Sequence, residues 1–353
     1  MLLAQICPRY FPFNGGIETH VREISERLQN KGVNIEVLTT DPSGELPEKD
    51  IINGVKVRRF KSFAPSDNYH FSLQLMKYLV KNSKNYDVLH AHSYHDFPAL
   101  YVAQTKNKRK FVFTPHYHGG GHAFFRDILH FPYRILGGQI FNEADNIICV
   151  SSYERNLILN HFPNISKKIT IIPNGINLQE FKLERGKRKR GKLLYVGRLE
   201  EYKGIQYLIK VLPELDTKFF LQIIGKGPYK KNLTQLVNEL HLIDRVNFLE
   251  DLTREDLLKE YSNSEVFILL SKYEAYSICV AEALASSTPC IVANNSALKE
   301  WVDNKNCFGI DYPIIPNTLA KLIIEVSKKN IQNMRELPDW DKTVEKLCTI
   351  YSV

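Results

Sequence analysis

Short apolar runs alternate with amphipathic helical patterns along most of the chain. A run of about four to eight apolar residues is typical of a buried strand, and apolar residues three or four positions apart are typical of a helix packed on one face. The segment Ile17–Asn30 shows the helical pattern, with one apolar face. The runs that predict strands in the first half are Leu2–Cys7, Asn34–Thr39, Asp87–His92, Lys110–Pro115, Asn146–Ser151 and Thr170–Pro173.

The alternation stops at Lys182–Lys192, a charged segment without an apolar face, and then starts again. Alternating strands and helices favour parallel sheets that are covered on both faces. The second set of predicted strands is Leu193–Val196, Phe219–Ile224, Val246–Leu249, Val266–Leu270 and Pro289–Ala293, with helices Gly204–Leu215, Tyr229–Leu240, Arg254–Asn263 and Ile278–Ser286 between them.

Two such halves predict an α/β fold with two Rossmann-like, doubly wound domains that face each other across a cleft. We place the N-terminal domain at residues 1–180, a basic linker at 181–192 and the C-terminal domain at 193–336. The last segment, residues 337–353, is predicted to be a helix with one buried face. The apolar residues at helical spacing in it are Trp340, Val344, Leu347 and Tyr351.

The composition is that of a globular protein: 353 residues, of which 44% are hydrophobic and 24% charged. No run of about 18 apolar residues is present, which argues against a membrane-spanning helix. We interpret the N-terminus as a buried strand and not as a signal peptide. The six cysteines form no C-x-x-C pair and mostly lie in apolar runs. This pattern predicts reduced core residues of a cytoplasmic protein and no disulfides.

Two strand-to-helix turns carry features suited to anions. Gly15 and Gly16 lie between the first strand and the first helix, where free amides attract anions and glycine lets a ligand approach. In the second half, Gly197 is followed by Arg198 and Lys203, two cations that could converge on a diphosphate. An ordinary turn and a pair of solvated surface charges remain the alternatives.

Glu274 and Glu282 form the most informative pair of carboxylates. Glu274 follows a predicted strand, and Glu282 lies between alanines in the next helix, where a charge is costly unless it is paired. Carboxylates suit the vicinal hydroxyls of a ribose or hexose, and the free amides of Ala275, Tyr276, Ser277 and Ile278 add an anion site. The alternative is a structural carboxylate that caps a neighbouring loop.

Histidines gather near the ends of predicted strands: His90, His92, His95, His116, His118 and His122. An H-x-H pair on a strand puts both rings on one face, so a zinc site is one interpretation. No Cys, Asp or Glu stands at ligand-like spacing from these residues. We therefore predict no metal, and we expect one or two of the histidines to line the cleft as hydrogen-bonding groups.

Other nucleotide motifs are incomplete. The sequence from Gly225 to Pro228 resembles the start of a dinucleotide fingerprint, but Lys230 stands where the third glycine belongs. No G-x-x-x-x-G-K-[ST] loop is present either. An NAD-binding protein and a P-loop ATPase are both disfavoured.

In order along nearly the whole chain, the motifs resemble those of the family 4 retaining glycosyltransferases, which have the two-Rossmann architecture called GT-B. The first half contributes PRYFPFNGGIETHVREISERL, DVLHAHS, FTPHYHG, ADNIICVSSYERN and IIPNGIN. The second half contributes LLYVGRLEEYKGI, IIGKGP and the E-x7-E spacing of Glu274 and Glu282. Each motif alone is weak, and the resemblance rests on their ordered co-occurrence.

The resemblance implies a role for each matching residue. Arg198 and Lys203 would hold the donor diphosphate without a metal, and Glu282 would hold the nucleotide ribose. Glu274 would contact hydroxyls of the donor sugar. The remaining implied donor contacts are the amides of Ala275–Ile278 at sugar and phosphate, Gly15 and Gly16 at the diphosphate, His116 near the reacting carbon, Gly197 and Gly225 in the glycine turns, and Asp251 and Leu252 near the base. The terminal helix would cross back to the first domain.

This chain departs from the family pattern at three places. Ala275-Tyr276-Ser277 replaces the usual Gly-Phe-Gly, Thr288 replaces the glycine before a proline, and Asn294-Asn295 stands near the usual Gly-Gly. Asn177 also replaces an aspartate. These changes bear on the identity of the donor sugar more than on the reaction class.

The resemblance implies a hexosyltransferase that moves a sugar from a UDP-, GDP- or related nucleotide sugar, a co-substrate and not a cofactor, to a hydroxyl of a glycan or lipid-linked acceptor. The anomeric configuration would be retained. The alternatives are a nucleotide-sugar epimerase of the same architecture and a non-catalytic carbohydrate-binding protein. The segment Gly119–Phe141, with its aromatics, Arg126 and Arg134, is a candidate acceptor loop or membrane contact, or simply a glycine-hinged loop and a core helix.

The net charge of +8 invites a nucleic-acid interpretation, but its distribution argues against one. Residues 181–192 hold seven of the 47 Lys and Arg residues against one acidic residue. We therefore predict no nucleic-acid partner. Instead, the sequence suggests a cytoplasmic protein whose basic segment Arg185–Lys192 and first domain face an anionic membrane surface or acceptor.

Overall fold

A computed structural model describes residues 1–13, 15–65, 69–117, 137–182, 188–329 and 336–352. The chain divides into two compact units: Met1–Gly175 with Trp340–Val353, and Ile176–Asp339. These bounds differ by a few residues from the ones placed at 180 and 337 from the sequence. Most of the candidate acceptor segment, together with His118 and His122, lies outside the described residues.

The first unit is built on one sheet of eight strands in the order β3-β4-β2-β1-β5-β6-β7-β8. All neighbours are parallel except β3, which runs antiparallel to β4 at the edge. The strands are β1 (Leu2–Cys7), β2 (Asn34–Asp41), β3 (Lys49–Ile52), β4 (Val55–Lys61), β5 (Val88–His92), β6 (Lys110–Thr114), β7 (Asn146–Cys149) and β8 (Ile169–Ile171).

Helices cover this sheet, so its central strands are buried on both faces. Every residue of β5 is buried, as expected for a parallel strand between two helical layers. The helices are α1 (Gly16–Asn30), α2 (Leu73–Asn82), α3 (Phe97–Thr105) and α4 (Ser152–His161). The strand order reverses at β1 and β5, which is the point where doubly wound sheets bind ligands beyond the carboxyl ends of their strands.

The second unit has a sheet of six parallel strands in the order β11-β10-β9-β12-β13-β14. Counted from β9, this is the 3-2-1-4-5-6 order of the Rossmann fold, and it reverses at β9 and β12. The strands are β9 (Lys192–Val196), β10 (Phe220–Ile224), β11 (Val246–Leu249), β12 (Val266–Leu269), β13 (Cys290–Ala293) and β14 (Cys307–Ile310). The helices are α5 (Ile205–Val211), α6 (Lys230–Glu239), α7 (Arg254–Ser262), α8 (Ile278–Ala285) and α9 (Pro316–Ser327). The prediction of two doubly wound domains is confirmed.

The terminal helix, α10 (Trp340–Tyr351), packs against α1 in the first unit. All four apolar residues of its predicted face are buried: Trp340, Val344, Leu347 and Tyr351. The Tyr351 hydroxyl and Nδ1 of His90 form a buried hydrogen bond of 2.6 Å. The predicted return of this helix to the first domain is confirmed.

The segment predicted as a basic linker is partly structural. Lys192 is the first residue of β9, is buried, and its Nζ lies 2.8 Å from Glu260 Oε2. Arg188 donates hydrogen bonds to the carbonyl oxygens of Ser287 and Lys329. Assigning Lys192 to an exposed linker was therefore wrong, because a paired lysine can begin a buried strand. Lys189 and Arg190 are exposed, and they lie at the amino edge of the sheet.

None of the six cysteines, all of which lie among the described residues, forms a disulfide, as predicted. Across the described ranges, no helix is both long and apolar enough to span a bilayer.

We expect the Tyr351→Phe substitution to destabilise the first unit. It leaves the buried Nδ1 of His90 without its hydrogen-bond partner, which costs about 1–3 kcal/mol of unfolding free energy. The chain has two tryptophans, Trp340 in the first unit and Trp301 in the second. In a Trp301→Phe background, tryptophan fluorescence during urea unfolding therefore reports on the first unit. Thr349→Ala, an exposed change on the same helix, should shift the midpoint little. An equal shift for both variants would contradict the role assigned to the hydroxyl.

Candidate active site

The loops that follow β9 and β12 lie side by side in the second unit because these strands are parallel neighbours. The loop after β9 carries Gly197, Arg198 and Lys203, and the loop after β12 carries Glu274. The two loops are joined by a hydrogen bond from the Lys272 amide to the Tyr202 carbonyl at 2.8 Å. Residues that are some 70 positions apart in the sequence thus meet at one sheet edge, as the resemblance implied.

Lys203 and Glu274 form a close ion pair in this edge, with Nζ 2.6 Å from Oε1. Both side chains are mostly shielded, at 16% and 13% exposure. Burial alone would lower the pKa of Lys203, but the Glu274 carboxylate outweighs it and the pKa is raised. The lysine therefore stays charged over the whole physiological range. The pair offers a fixed cation and a carboxylate beside each other.

Arg198 stands on the same loop in a more open position. Its Nε lies 3.1 Å from Glu200 Oε1, and its side chain is 41% exposed. Its carbonyl oxygen accepts a hydrogen bond from the buried hydroxyl of Tyr195 at 2.8 Å. The backbone of Arg198 is thus anchored while its guanidinium reaches outward.

Two glycines allow the close approach of the loops at this edge. Gly225, after β10, has φ 138°, and a Cβ there would lie 2.0 Å from the carbonyl oxygen of Gly197. Gly204, before α5, has φ 77°, and a Cβ there would lie 2.2 Å from the carbonyl oxygen of Leu270. Both positions exclude other residues by backbone conformation and by space.

Glu282 is held by a partner that the sequence analysis missed. Arg254, the first residue of α7, places Nη1 2.5 Å from Glu282 Oε1 and Nη2 2.8 Å from Glu180 Oε2. The hydroxyl of Tyr261 donates to the other oxygen of Glu282 at 3.0 Å. The expected cost of a carboxylate in an apolar helix is thus offset by pairing. Each oxygen of Glu282 keeps a lone pair for a further donor.

Arg254 could have been suspected from its position. It is preceded by Thr253, whose side chain caps α7, and it follows β11 at the same sheet edge as the other candidates. A cation in the first turn of a helix is unfavourable unless an acid compensates for it, and that is the signal that sequence reasoning overlooked.

The loop between Glu274 and α8 is held in place by two hydrogen bonds. The Ala297 amide donates to the Glu274 carbonyl at 3.2 Å, and the Trp301 indole donates to the Tyr276 carbonyl at 2.8 Å. Ser277, which precedes α8, has φ 81° and ψ 86°. A position where the family has glycine is therefore a left-handed one, and the serine is held there under strain.

The remaining candidates, Asp251 and Leu252, follow β11, and Asp251 Oδ2 lies 2.6 Å from Lys226 Nζ on the surface.

In the first unit, the carboxylate of Glu18 lies beside the glycine turn before α1. Gly15 is extended, with φ −174°, and a Cβ there would lie 2.3 Å from Glu18 Oε2. Glu18 is buried in the first turn of α1 and pairs with Arg9 at 2.8 Å. Gly16 is exposed, with open space beside it. The role of both glycines at a diphosphate stays a prediction.

His116 follows β6 in a left-handed conformation, with φ 49°, that side chains seldom adopt. The backbone on either side is fixed. The Pro115 carbonyl accepts from the Tyr94 amide at 2.8 Å, and the Tyr117 amide donates to the buried Glu154 carboxylate. Strain of this kind persists only where the surroundings impose it, and it clusters at functional sites.

His116 does not stand alone. Its ring centroid lies 5.0 Å from that of His20, on α1, and 6.0 Å from that of His92, at the end of β5. Sequence reasoning missed His20, although it is one turn before Ile24 on the buried side of α1. His90 and His92 have ring centroids 4.2 Å apart, which confirms that the H-x-H pair shares a face. Of the histidines singled out from the sequence, His90, His92, His95 and His116 thus gather near the ends of β5 and β6.

Comparisons with known proteins identify the family of this chain. Residues 14–180 match the family described as Glycosyltransferase Family 4, and residues 178–339 match Glycosyl transferases group 1. Together the two matches cover almost the whole chain. The chain belongs to the family 4, group 1 glycosyltransferases.

Relatives of this glycosyltransferase cover it from end to end. An uncharacterized glycosyltransferase of Methanocaldococcus jannaschii is 26% identical over all of this chain and 98% of its own length. Sucrose-phosphate synthase of Thermosynechococcus elongatus has a TM-score of 0.81 at 21% identity, over 99% of this chain and 98% of its own. HepE of Anabaena, in a complex with UDP-glucose, has a TM-score of 0.77 at 16% identity, over 99% of this chain and all of its own. The two structures establish the shared GT-B fold.

We expect the Ser277→Gly substitution to stabilise this glycosyltransferase. Relief of the left-handed strain should exceed the entropy that glycine adds to the unfolded chain, for a net gain of about 1 kcal/mol and a higher melting temperature. Ser286→Gly is the matched control, because Ser286 follows the same helix at φ −74° and has no strain to release. It should lower the melting temperature. A fall for Ser277→Gly as well would show that the serine is not strained.

Proposed function

We propose that this glycosyltransferase moves a sugar from a nucleoside diphosphate sugar to an acceptor hydroxyl and retains the anomeric configuration. The observation that carries the proposal is the shielded Lys203–Glu274 pair, 2.6 Å apart, at the edge where β9 and β12 end. A diphosphate needs cations and a hexose needs acceptors for its hydroxyls. This pair supplies one of each at adjacent positions.

The cations act on the leaving group. As the bond between the anomeric carbon and the diphosphate oxygen breaks, negative charge grows on the diphosphate. Arg198 and Lys203, with the amides of Ala275–Ile278 before α8, would stabilise that charge without reorganising. The anchored backbone of Arg198 and the ion-paired Lys203 both support such preorganisation.

The nucleotide side of the proposal rests on Glu282. Its carboxylate is oriented by Arg254 and Tyr261, so its free lone pairs are fixed in direction and can accept from the two ribose hydroxyls. Asp251 and Leu252, beyond β11, would border the base. Gly197 and Gly225 would let the backbone come close to the nucleotide.

The reacting sugar would be held by Glu274 and the 275–278 loop, and the contributions of His116 and Gly16 stay implications of the family resemblance. The acceptor oxygen would bond to the anomeric carbon on the face that the diphosphate leaves, and a departing phosphate oxygen would take the acceptor proton. Because Ser277 replaces a glycine, its hydroxyl either donates to a sugar hydroxyl or narrows the site. UDP-glucose is the first donor to test, since the Anabaena neighbour binds it.

We expect Arg198→Ala to lower kcat/KM for transfer by about 10²–10³-fold, as the loss of one preorganised donor does. The assay first screens UDP-, GDP- and ADP-sugars by thermal shift and product formation, and then follows glycan and lipid acceptors with the best donor. Lys218→Ala is the matched control, because this exposed lysine precedes β10 at the opposite sheet edge. Near-normal transfer by Arg198→Ala would refute the diphosphate assignment. Epimerised donor after incubation without acceptor would instead favour an epimerase.

The acceptor side of the proposal includes an anionic membrane. The exposed Lys189 and Arg190 lie at the amino edge of the second sheet, about one strand length, roughly 16 Å, from the carboxyl edge where the donor residues lie. At that distance, Lys189 and Arg190 would not contact the reacting groups. A membrane surface remains the proposed partner of these cations.

We expect the native chain to bind vesicles of phosphatidylglycerol and phosphatidylcholine, and the Lys189→Gln, Arg190→Gln double variant to bind them more weakly. At about 1 kcal/mol per cation, the loss should approach 30-fold in cosedimentation. Lys210→Gln with Lys231→Gln, two exposed lysines elsewhere in the unit, is the charge-matched control. Equal binding by both double variants, or none by the native chain, would end the membrane proposal.

A further inference from the structure

We propose that His20, His92 and His116 in the first unit form a binding site for a divalent transition metal of the Zn²⁺ type. The three side chains come from three elements: α1, the end of β5 and the turn after β6. One potential ligand atom from each lies within 4.8 Å of the other two.

The proposed ligand atoms are Nε2 of His20, Nδ1 of His92 and Nε2 of His116. All three are buried and have no hydrogen-bond partner among the described residues. A buried polar atom without a partner is costly, and folded proteins leave few of them. Three histidines that lie together and each carry such an atom point to a ligand that satisfies all of them.

The hydrogen bonds of the other ring nitrogens fix the tautomers of two of these histidines. His20 Nδ1 lies 2.7 Å from Asn174 Oδ1, and His92 Nε2 lies 2.6 Å from Gln5 Oε1. An amide oxygen only accepts, so these two nitrogens carry the protons. The opposite nitrogens, which are the proposed ligand atoms, then present lone pairs.

Gln5 is held at both ends of its amide group. Its Nε2 donates to the Tyr351 hydroxyl at 3.4 Å, and that hydroxyl in turn lies 2.6 Å from His90 Nδ1. The amide oxygen of Gln5 faces His92 Nε2. Ligating histidines in proteins typically donate their second N–H to an oxygen in this way, and the partner orients the ring.

A metal ion suits these nitrogens better than a hydroxyl does. One hydroxyl has a single proton to donate, whereas one cation can accept all three lone pairs.

The chemistry of the ligand atoms determines which metal ions would bind. Three neutral imidazoles suit Zn²⁺, Co²⁺ or Cu²⁺ rather than Mg²⁺ or Ca²⁺, which prefer oxygen. Zn–N bonds of about 2.0–2.1 Å in a tetrahedron place the nitrogens about 3.3 Å apart, so the rings must close inward by about 1.5 Å at most. His116 is only half-buried, which leaves a fourth position for water or another ligand.

The test uses the full-length chain, free of any affinity tag and stripped with chelator. We expect Co²⁺ to produce the visible d–d absorption of four-coordinate nitrogen ligation, saturating at one equivalent, and Zn²⁺ to displace it. Binding is measured without donor or acceptor, so its outcome is independent of the proposed function. A sulfur-to-cobalt charge-transfer band would show binding at a cysteine and overturn the proposal, as would the absence of a saturable band.

Substitutions of the histidines show which of them bind the metal. His20→Gln and His92→Gln should each weaken Co²⁺ binding at least tenfold, while His241→Gln, an exposed histidine in the second unit, should leave it unchanged. Unchanged binding in both ligand variants would refute the site. If these variants do not fold, the ¹⁵N chemical shifts of the imidazole nitrogens in the native chain test the assignment instead. Zn²⁺ should shift Nε2 of His20 and Nδ1 of His92, and no shift at these atoms would contradict the assignment.

Discussion

The second unit of this glycosyltransferase depends on one constraint, the direct pairing of β9 with β12 in its sheet. Because the strand order reverses there, the chain leaves these two strands toward opposite sides of the sheet, and the loops after them can face each other. Lys203 and Glu274 can then meet at 2.6 Å. The close approach of Gly225 to Gly197 extends the same edge toward β10.

The ion pairs at this edge are better explained by function than by stability. Replacing a buried pair with well-packed apolar residues is often neutral or stabilising, because the Coulomb attraction barely repays desolvation. Leucine or methionine in place of the Arg254–Glu282 and Lys203–Glu274 pairs would therefore stabilise the fold about as well. They do fix charged groups in place before a substrate arrives, which is what stabilising a diphosphate leaving group requires.

Much of the fold was predictable because parallel strands are simple apolar runs. The bounds of β1 and β11 match the sequence-based ranges, and most others differ by one or two residues. The β3–β4 hairpin was missed although Asn53-Gly54 joins its strands, with φ of 48° and 82° at a two-residue turn. Tertiary pairs were harder to predict: the positions of Arg254 and His20 in their helices give at most a hint, since the role of each depends on which loop or strand end it faces.

The two units place different chemistry at the same topological position. In the second unit, the reversal between β9 and β12 gathers charges that neutralise each other. In the first, the reversal between β1 and β5 lies beside the imidazoles of His20 and His92, whose ring N–H groups point to Asn174 and Gln5. Hydrogen bonds that direct these N–H groups outward leave lone pairs on the opposite nitrogens of both rings. Lone pairs do not attract an anion, and a cation is the ligand that they favour.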